Sequence, residues 1–338
     1  MKTAVVILNW NGRKLMEEFL PSVVEHSAAA AIVVIDNAST DDSVDWLKNH
    51  YPEIQIVINS GNFGYARGYN EGLRELLKKE SFDLLCLLNS DVQVTKNWLQ
   101  PILEIFVHQP KVAAVQPKIL DYKNPEYFEY AGAGGGFIDN FGYPFCRGRV
   151  FWTLEKDLGQ FDDSIPVFWA SGACFFIRTG DFLDSGGFDE AFFAHMEEID
   201  LCWRLKNKGR EIYYCGASTV YHLGGGTLKA NSPEKTYLNF RNNLSMLVKN
   251  LPQWKVFPII FLRLILDGIT GIVFLFYEGF SHCFAVVRAH FGFYVRLPGN
   301  LKLRKPGISN YYKGKFVPLK YFLAKKKCFS ELDTIDAE

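Results

Sequence analysis

The sequence predicts an α/β fold built on a mostly parallel sheet with helices on both faces. Three observations carry that expectation. Four apolar runs recur in the first third of the chain, at residues 4–8, 32–35, 54–58 and 84–88. Helix-like segments, at about 13–25, 43–49 and 66–79, lie between them and give βαβ repetition. Each run then stops abruptly in polar residues. Continuous apolar runs are what strands buried on both faces require, and right-handed crossovers turn the repetition into a parallel sheet. A further helix near 98–108 and a strand at 112–115 extend it.

The strand ends come next. They read Asn9 and Asn11, Asp36 and Asn37, Asn59 and Asn62, then Asn89 and Asp91. In an open α/β sheet the ligand lies beyond the carboxyl ends of the strands, so four polar ends in register predict a binding crevice on one rim. The most abrupt end is DLLCLLNSDV at 83–92. A carboxylate there, Asp91, can hold a divalent cation against a diphosphate; an ordinary turn, or a cap for the helix beginning near Asn97, would use the same residue type. Asp36 would accept from a ribose hydroxyl or a pyrimidine N–H, or would cap a helix in DNASTDDS. In SGNFGYARGYNEG the glycines at 61, 64, 68 and 72 permit close backbone approach, Gly72 from within a helix. The first turn, NWNG, lacks GxGxxG, and no GxxxxGK[ST] occurs, which excludes a dinucleotide fingerprint and a P-loop.

Between 121 and 167 the texture shifts to Gly, aromatic and Asp residues, as expected of short strands and loops over the crevice. VFWASGACFFIR then reads as a strand broken at Ser171-Gly172. In MEEIDLCWRLKNKG, Glu197 and Glu198 fall at a helix N-terminus, where the macrodipole favours anions. An acidic first turn serves helix stabilisation as well as chemistry. Asp200 and Arg204 are spaced as a surface pair, and Gly209 marks the helix stop. The strand EIYYC leads to TVYHLGGGT, where His222 before a glycine turn is either structural or a ligand.

The 338 residues suffice for one large domain or two ordinary ones. Lys+Arg and Asp+Glu are equal at 37 each, so there is no global pull toward nucleic acid. Seven cysteines without a CxxC pair fit reduced core thiols rather than disulfides or a zinc site. The N-terminus runs straight into TAVVILNW, too short for a secretory h-region, which predicts a cytoplasmic location.

Together VVILNWNG, VVIDNASTDDS, NFGYARGYNEG, LLNSDV, WASGACFFIR, GGFDEAFF, MEEIDLCWRLKNKG and VYHLGGGT, in that order over about 3–247, resemble family 2 of the inverting glycosyltransferases. The similarity is greatest to the bacterial rhamnosyltransferase and galactofuranosyltransferase branch. The resemblance implies a Rossmann-like, glycosyltransferase A-type fold, a nucleoside-diphosphate sugar (dTDP- or UDP-sugar) as donor, and Mn²⁺ or Mg²⁺ at the diphosphate. It implies Glu198 as general base with Glu197 as fallback, and Asp91 with His222 on the metal. Asn9, Asp36, Asn62, Gly64, Asn89 and Asp91 would hold the donor, and Trp169, Ser171 and Gly172 the acceptor. Two departures stand out: Asn89 replaces the first acidic residue of the usual metal motif, and Glu-Glu replaces the usual Glu-Asp.

We divide the chain into a transferase region, 1–250, and a membrane-associating region, 251–338. The segment 257–276 is long enough to span a bilayer, but Arg263 and Asp267 interrupt it; a central charge costs about 2.5–3.5 kcal/mol. At i,i+4 these two can pair. From 296 to 327 there are ten Lys and Arg and no Asp or Glu, a stretch that attracts anionic lipid. Helices lying on the inner face of the cell membrane are therefore expected ahead of a true span. A helical pair packed on the catalytic domain uses the same pattern. The functional expectation is an inverting transferase that adds a sugar to a hydroxyl of a lipid-linked glycan in cell-surface polysaccharide or O-antigen assembly. Its rivals are a non-catalytic nucleotide-sugar-binding scaffold and a sugar nucleotidyltransferase, the latter disfavoured because NWNG is not a Gly-rich, Arg-containing loop.

Overall fold

The computed structural model describes residues 1–224, 232–305 and 307–332. The Gly225-Gly226-Thr227 end of the VYHLGGGT motif lies outside them. The first half runs β1 (Thr3–Asn9), α1 (Arg13–His26), β2 (Ala31–Asp36), α2 (Ser43–His50), β3 (Gln55–Ile58), α3 (Gly64–Lys79), β4 (Leu84–Asn89), β5 (Val92–Val94), α4 (Leu99–His108) and β6 (Val112–Asp121). Four short strands follow: β7 (Gly136–Ile138), β8 (Pro144–Cys146), β9 (Arg149–Val150) and β10 (Thr153–Leu154). Then come β11 (Ser164–Val167), β12 (Cys174–Arg178), α5 (Thr179–Asp184), α6 (Glu197–Asn207), β13 (Glu211–His222), α7 (Pro233–Asn250), α8 (Gln253–Tyr277), α9 (Phe280–Leu303) and α10 (Val317–Phe322).

The large sheet has the order β11-β13-β6-β12-β4-β1-β2-β3, with β5 added beside β13. Strands β3, β2, β1 and β4 are parallel, as the βαβ repetition predicts, but β12 enters between β4 and β6 antiparallel to both. Each buried strand alternates between two cores. Ala4, Val6, Val33, Ile35, Leu85 and Leu87 face one, while Val5, Ile7, Val34, Leu84, Cys86 and Leu88 face the other. Helix α3 covers the first face with Tyr69, Leu73 and Leu76; α1, α2 and α4 cover the second. That two-sided burial is why the strands read as unbroken apolar runs. Gly72 is required here, since a Cβ on it would fall 2.4 Å from Ile35.

Two expectations need correction. EIYYC and TVYH are parts of one strand: β13 pairs with β6 across an irregularity between Cys215 and Thr219 and ends at His222. Asp200 and Arg204 are not a surface pair. Asp200 is fully buried and bonds both Arg204 (2.8 Å) and Lys249 of α7 (2.8 Å). All seven cysteines are free thiols and five are buried.

Within the 121–167 stretch β7 to β10 form a small sheet, β10-β9-β8-β7, while β11 joins the large one beside β13. The chain after α9 returns to the small sheet. Val317 and Phe316 N–H groups donate to Asp139 and Asn140, and Tyr311 stacks on Trp203 at 5.2 Å. Helices α8 and α9 form a hairpin laid on α7, with Arg263 over the Tyr143 ring at 3.8 Å and donating to the Phe141 carbonyl.

Candidate active site

The parallel register places the polar strand ends side by side, with Asn9 opposite Asp36 and Leu8 opposite Asn89. Asn9 is fully buried, and its Nδ2 donates to Asp36 (2.8 Å) and to the Ser43 hydroxyl (3.1 Å). Asp36 also accepts from the Ser39 amide (2.8 Å) and hydroxyl (2.7 Å). The expectation of a free acceptor on Asp36 is thus corrected: its carboxylate is tied into the crevice floor and organises the following loop, and it does not cap α2, whose N-cap is Asp42. Exposed Trp10 and Asn11 stand above that floor.

Asn62 is exposed and accepts from the Gly64 amide at 3.0 Å. Gly64 has φ +71°, and a Cβ on it would lie 2.6 Å from the Phe193 ring. A side chain here meets both backbone strain and a clash. The Tyr65 amide donates to the Phe193 carbonyl at 2.8 Å, so the start of α3 grips the loop before α6.

That loop is conformationally costly. Phe193, His195 and Met196 all have positive φ (65°, 69° and 74°). A left-handed conformation costs a non-glycine residue roughly 1–2 kcal/mol. Asn242, buried on α7, compensates by donating to three carbonyls of this loop: Phe192 (3.0 Å), Ala194 (2.9 Å) and His195 (2.8 Å). Neighbouring Arg241 adds a bond to Phe192 at 3.1 Å.

The loop delivers Glu197 and Glu198 to the N-terminus of α6. Glu197 is 4 % exposed; burial and the adjacent Glu198 charge push its carboxyl well above the usual range. Glu198 is partly exposed. Burial pushes it up to about 7, while backbone amides at the helix start and at Gly172 pull the other way. One oxygen of each carboxyl is buried without a partner among the described residues. Gly172 lies beside Glu198, since a Cβ on it would come within 3.9 Å of the carboxyl carbon, and its carbonyl accepts from the Tyr65 hydroxyl at 2.7 Å.

Ser171 and Trp169 behave differently from Gly172. Ser171 is buried and donates to the Ala131 carbonyl. Trp169 is 3 % exposed, its ring packs under Gly136, and its indole N–H donates to Phe137. Stacking of an acceptor sugar on Trp169 is therefore corrected to a packing role.

Beyond the end of β4, β13 pairs with β5 and sets His222 against Val92. His222 Nε2 lies 3.2 Å from Asp91 and 3.3 Å from Asn89, and its Nδ1 lies 3.1 Å from Glu129. The Glu129 contact is close but lacks hydrogen-bond alignment. Burial alone would lower the imidazole; the Glu129 and Asp91 carboxylates outweigh it and raise His222 to about 10. Glu129, which the sequence did not single out, stands in the Gly/aromatic stretch where no periodicity marks a position. Among the described residues no three His, Cys, Asp or Glu side chains make a metal cage by themselves. Asp91 and His222 nonetheless fit a shared site once a bound cation displaces the imidazole proton: Mg²⁺ and Mn²⁺ accept one or two protein ligands and take phosphate and water oxygens for the rest.

The mixed sheet, with polar strand ends and the acidic start of α6 near Gly172, is a glycosyltransferase A-type fold. Solved structures share that fold. Crystalline GalNAc-T7 with UDP, GalNAc and Mn²⁺ superposes with a TM-score of 0.58 at 17 % identity, covering 75 % of this chain and about half (49 %) of the other. The mannosyltransferase PcManGT from Pyrobaculum calidifontis, in complex with GDP-Man and Mn²⁺, gives 0.53 at 12 % identity over 87 % of both chains. The chain belongs to Glycosyl transferase family 2, which it matches over residues 4–182. Its relatives include the low-salt glycan biosynthesis hexosyltransferase Agl10 of Haloferax volcanii, 25 % identical over 71 % of this chain and 73 % of that one. N-acetylglucosaminyl-diphospho-decaprenol L-rhamnosyltransferase of Mycobacterium tuberculosis is 26 % identical over 66 % and 76 %. Rhamnosyltransferase WbbL of Escherichia coli is 23 % identical over 64 % and 82 %.

Proposed function

We propose that this glycosyltransferase is inverting and metal-dependent, and that it moves a sugar from a nucleoside-diphosphate sugar to a hydroxyl of a lipid-linked glycan in cell-surface polysaccharide assembly. What supports the reading is that Glu198, raised to about 7 beside Gly172, and the Asp91–His222 pair border the same strand end, where the Asn89 amide donates to the Ala173 carbonyl at 3.0 Å. A general base works best with a pKa near the operating pH. In one in-line displacement the acceptor oxygen forms its bond to the anomeric carbon as the bond from that carbon to the diphosphate oxygen breaks. The hydroxyl proton passes to Glu198, and the nucleoside diphosphate leaves from the opposite face. A Mn²⁺ or Mg²⁺ held by Asp91 and His222 would neutralise charge on the departing diphosphate. Asn89 adds no charge there. Asn62 and Gly64 would shape the donor site through the loop they support, with Asn9 and Asp36 as its rigid floor. Glu197, its carboxyl pushed up by burial and the adjacent Glu198 charge, is the fallback base.

The acceptor and the location rest on α8 and α9 together with the named decaprenol-linked relative. Helix α8 is the one described helix long and apolar enough to cross a membrane, and it is mostly unburied within the chain. Its exposed positions, Phe257, Phe261, Ile265, Ile269, Ile272 and Phe276, repeat at helical spacing. Arg263 and Asp267 point instead into the protein and are buried. One apolar face with charges turned away supports a hairpin lying in the inner face of the membrane, residues 251–338 serving as the anchoring region of the 1–250 transferase.

The purified protein, given Mn²⁺ and a panel of dTDP- and UDP-sugars with prenyl-diphosphate-linked acceptors, should release nucleoside diphosphate with one donor. Asp91→Ala and Glu198→Gln should abolish release. Donor binding with no release from any combination would favour the scaffold alternative; release of pyrophosphate would instead mark a nucleotidyltransferase.

A further inference from the structure

At the start of α7 lies a cationic cluster that the mechanism above leaves unused. Arg149 of β9 is 7 % exposed, and its guanidinium sits 4.5 Å from the centre of the Tyr130 ring. Its other contacts are weak: Nη2 with the Cys146 sulfur (3.2 Å) and Nη1 with the Phe151 carbonyl (3.4 Å). Its Nε is buried with no partner among the described residues. Lys235, in the first turn of α7, places its ammonium 5.8 Å from the centre of the same ring. Burial and the nearby Arg149 charge lower that ammonium, with the Glu129 carboxylate opposing them. Toward the base, His195 is pushed down to about 4 by burial and by Lys235, so it adds no positive charge of its own. An under-satisfied buried guanidinium next to a partly buried ammonium invites a doubly charged oxyanion, and a fork of Arg donors suits phosphate geometry.

The cluster also has a direction. On the same end of α7, Glu234 pairs with Arg288 of α9 at 3.7 Å, and the Thr236 hydroxyl bonds His282 at 2.9 Å. His282 adjoins the tip of the hairpin, where Phe276, Tyr277 and Phe280 are 77 %, 83 % and 71 % exposed, and Arg288 lies about two turns further along α9. On the inner side, Cys146, which contacts Arg149, feels the charges of both Glu129 and Glu198. From the outside in, the protein thus presents an apolar tip, a cationic pair and a carboxylate base. A prenyl-diphosphate-linked sugar presents its parts in the same order: apolar chain, diphosphate, reacting hydroxyl.

We propose that Arg149 and Lys235 bind the diphosphate of a lipid-diphosphate-linked acceptor, seating its sugar hydroxyl at Glu198. The inference rests on the lipid-linked acceptor reading and names the residues that would recognise it. The Tyr130 ring is the side chain the two cations share, at 4.5 Å from the buried Arg149 guanidinium and 5.8 Å from the partly buried Lys235 ammonium.

The test uses the full chain, titrating farnesyl diphosphate and farnesol in EDTA, so that no metal bridges the probe to Asp91, and the nucleoside diphosphates UDP and dTDP separately in Mn²⁺. Wild type should bind farnesyl diphosphate at least tenfold more tightly than farnesol. Arg149→Gln and Lys235→Gln should each weaken farnesyl diphosphate at least tenfold and leave the nucleoside diphosphate unchanged. Because Arg149 is buried, Lys235→Gln carries the result alone if the Arg149 variant misfolds. Variants that weaken the nucleoside diphosphate, or that change neither ligand, overturn the assignment while leaving the lipid-linked acceptor standing. If wild type binds the nucleoside diphosphate but shows no preference for farnesyl diphosphate over farnesol, the lipid-diphosphate acceptor itself is wrong and the assignment falls with it.

Discussion

Glu198 stands where burial and the amides of a helix start pull a carboxyl in opposite directions, and the balance leaves it at about 7. A base must be ionised to accept a proton, so kcat/KM should fall about tenfold per pH unit below that value and level off above it. A pH–rate profile that stays flat through the acid side of neutrality would remove Glu198 from the role. The Gln variant should turn over roughly 10²–10⁴-fold more slowly while donor affinity is retained. Gly64 makes a separate prediction. Alanine there meets φ +71° and the Phe193 ring, so Gly64→Ala should cost at least about 1–2 kcal/mol in denaturant unfolding and slow turnover by displacing the loop before α6. Glu197, Glu198, Asp91 and His222 were legible because each closes or opens an apolar periodic segment. Glu129, Arg149 and Lys235 were not. No pattern marks them, and they meet the site only because β13, the small sheet and the start of α7 converge in space.

The element that ties chemistry to architecture is α7. One face grips the 192–195 carbonyls through Asn242, and another carries the α8–α9 hairpin. Removing a buried donor leaves carbonyls unsatisfied at about 1–3 kcal/mol each. Asn242→Ala should therefore lower kcat far more than it weakens donor binding, because the loop that relaxes carries the base directly and reaches the donor side only through its contact with Gly64 and Tyr65. Equal losses of donor binding and kcat, compared by titration and steady-state kinetics, would show a general structural defect instead. The strands of the first half were legible in outline because two-sided burial writes a continuous apolar run. The antiparallel insertion of β12 and the full length of β13 were hidden, because strand direction and a bulge across Cys215–Thr219 depend on partners remote in sequence. Asp200 misled for a related reason: its i,i+4 partner is visible locally, whereas Lys249, which completes its burial, lies on α7.

At the scale of the whole molecule, zero net charge conceals a division of labour between an internally charged crevice and an apolar, basic exterior. The Phe257 and Phe261 rings lie on the exposed stripe of α8, and burying a Phe side chain contributes about 1.5–3 kcal/mol. Replacing both with Asp should reduce co-sedimentation with anionic vesicles at least tenfold and leave the melting temperature nearly unchanged. Undiminished binding would place the membrane contact elsewhere. The central claim is a single inverting displacement with Glu198 as base, and the configuration of the product tests it most directly. Proton NMR of the disaccharide formed by wild type should show the new linkage with the anomeric configuration opposite to the donor's, and Glu198→Gln should form almost none of it. Retention of configuration, or full yield from Glu198→Gln, would contradict the account.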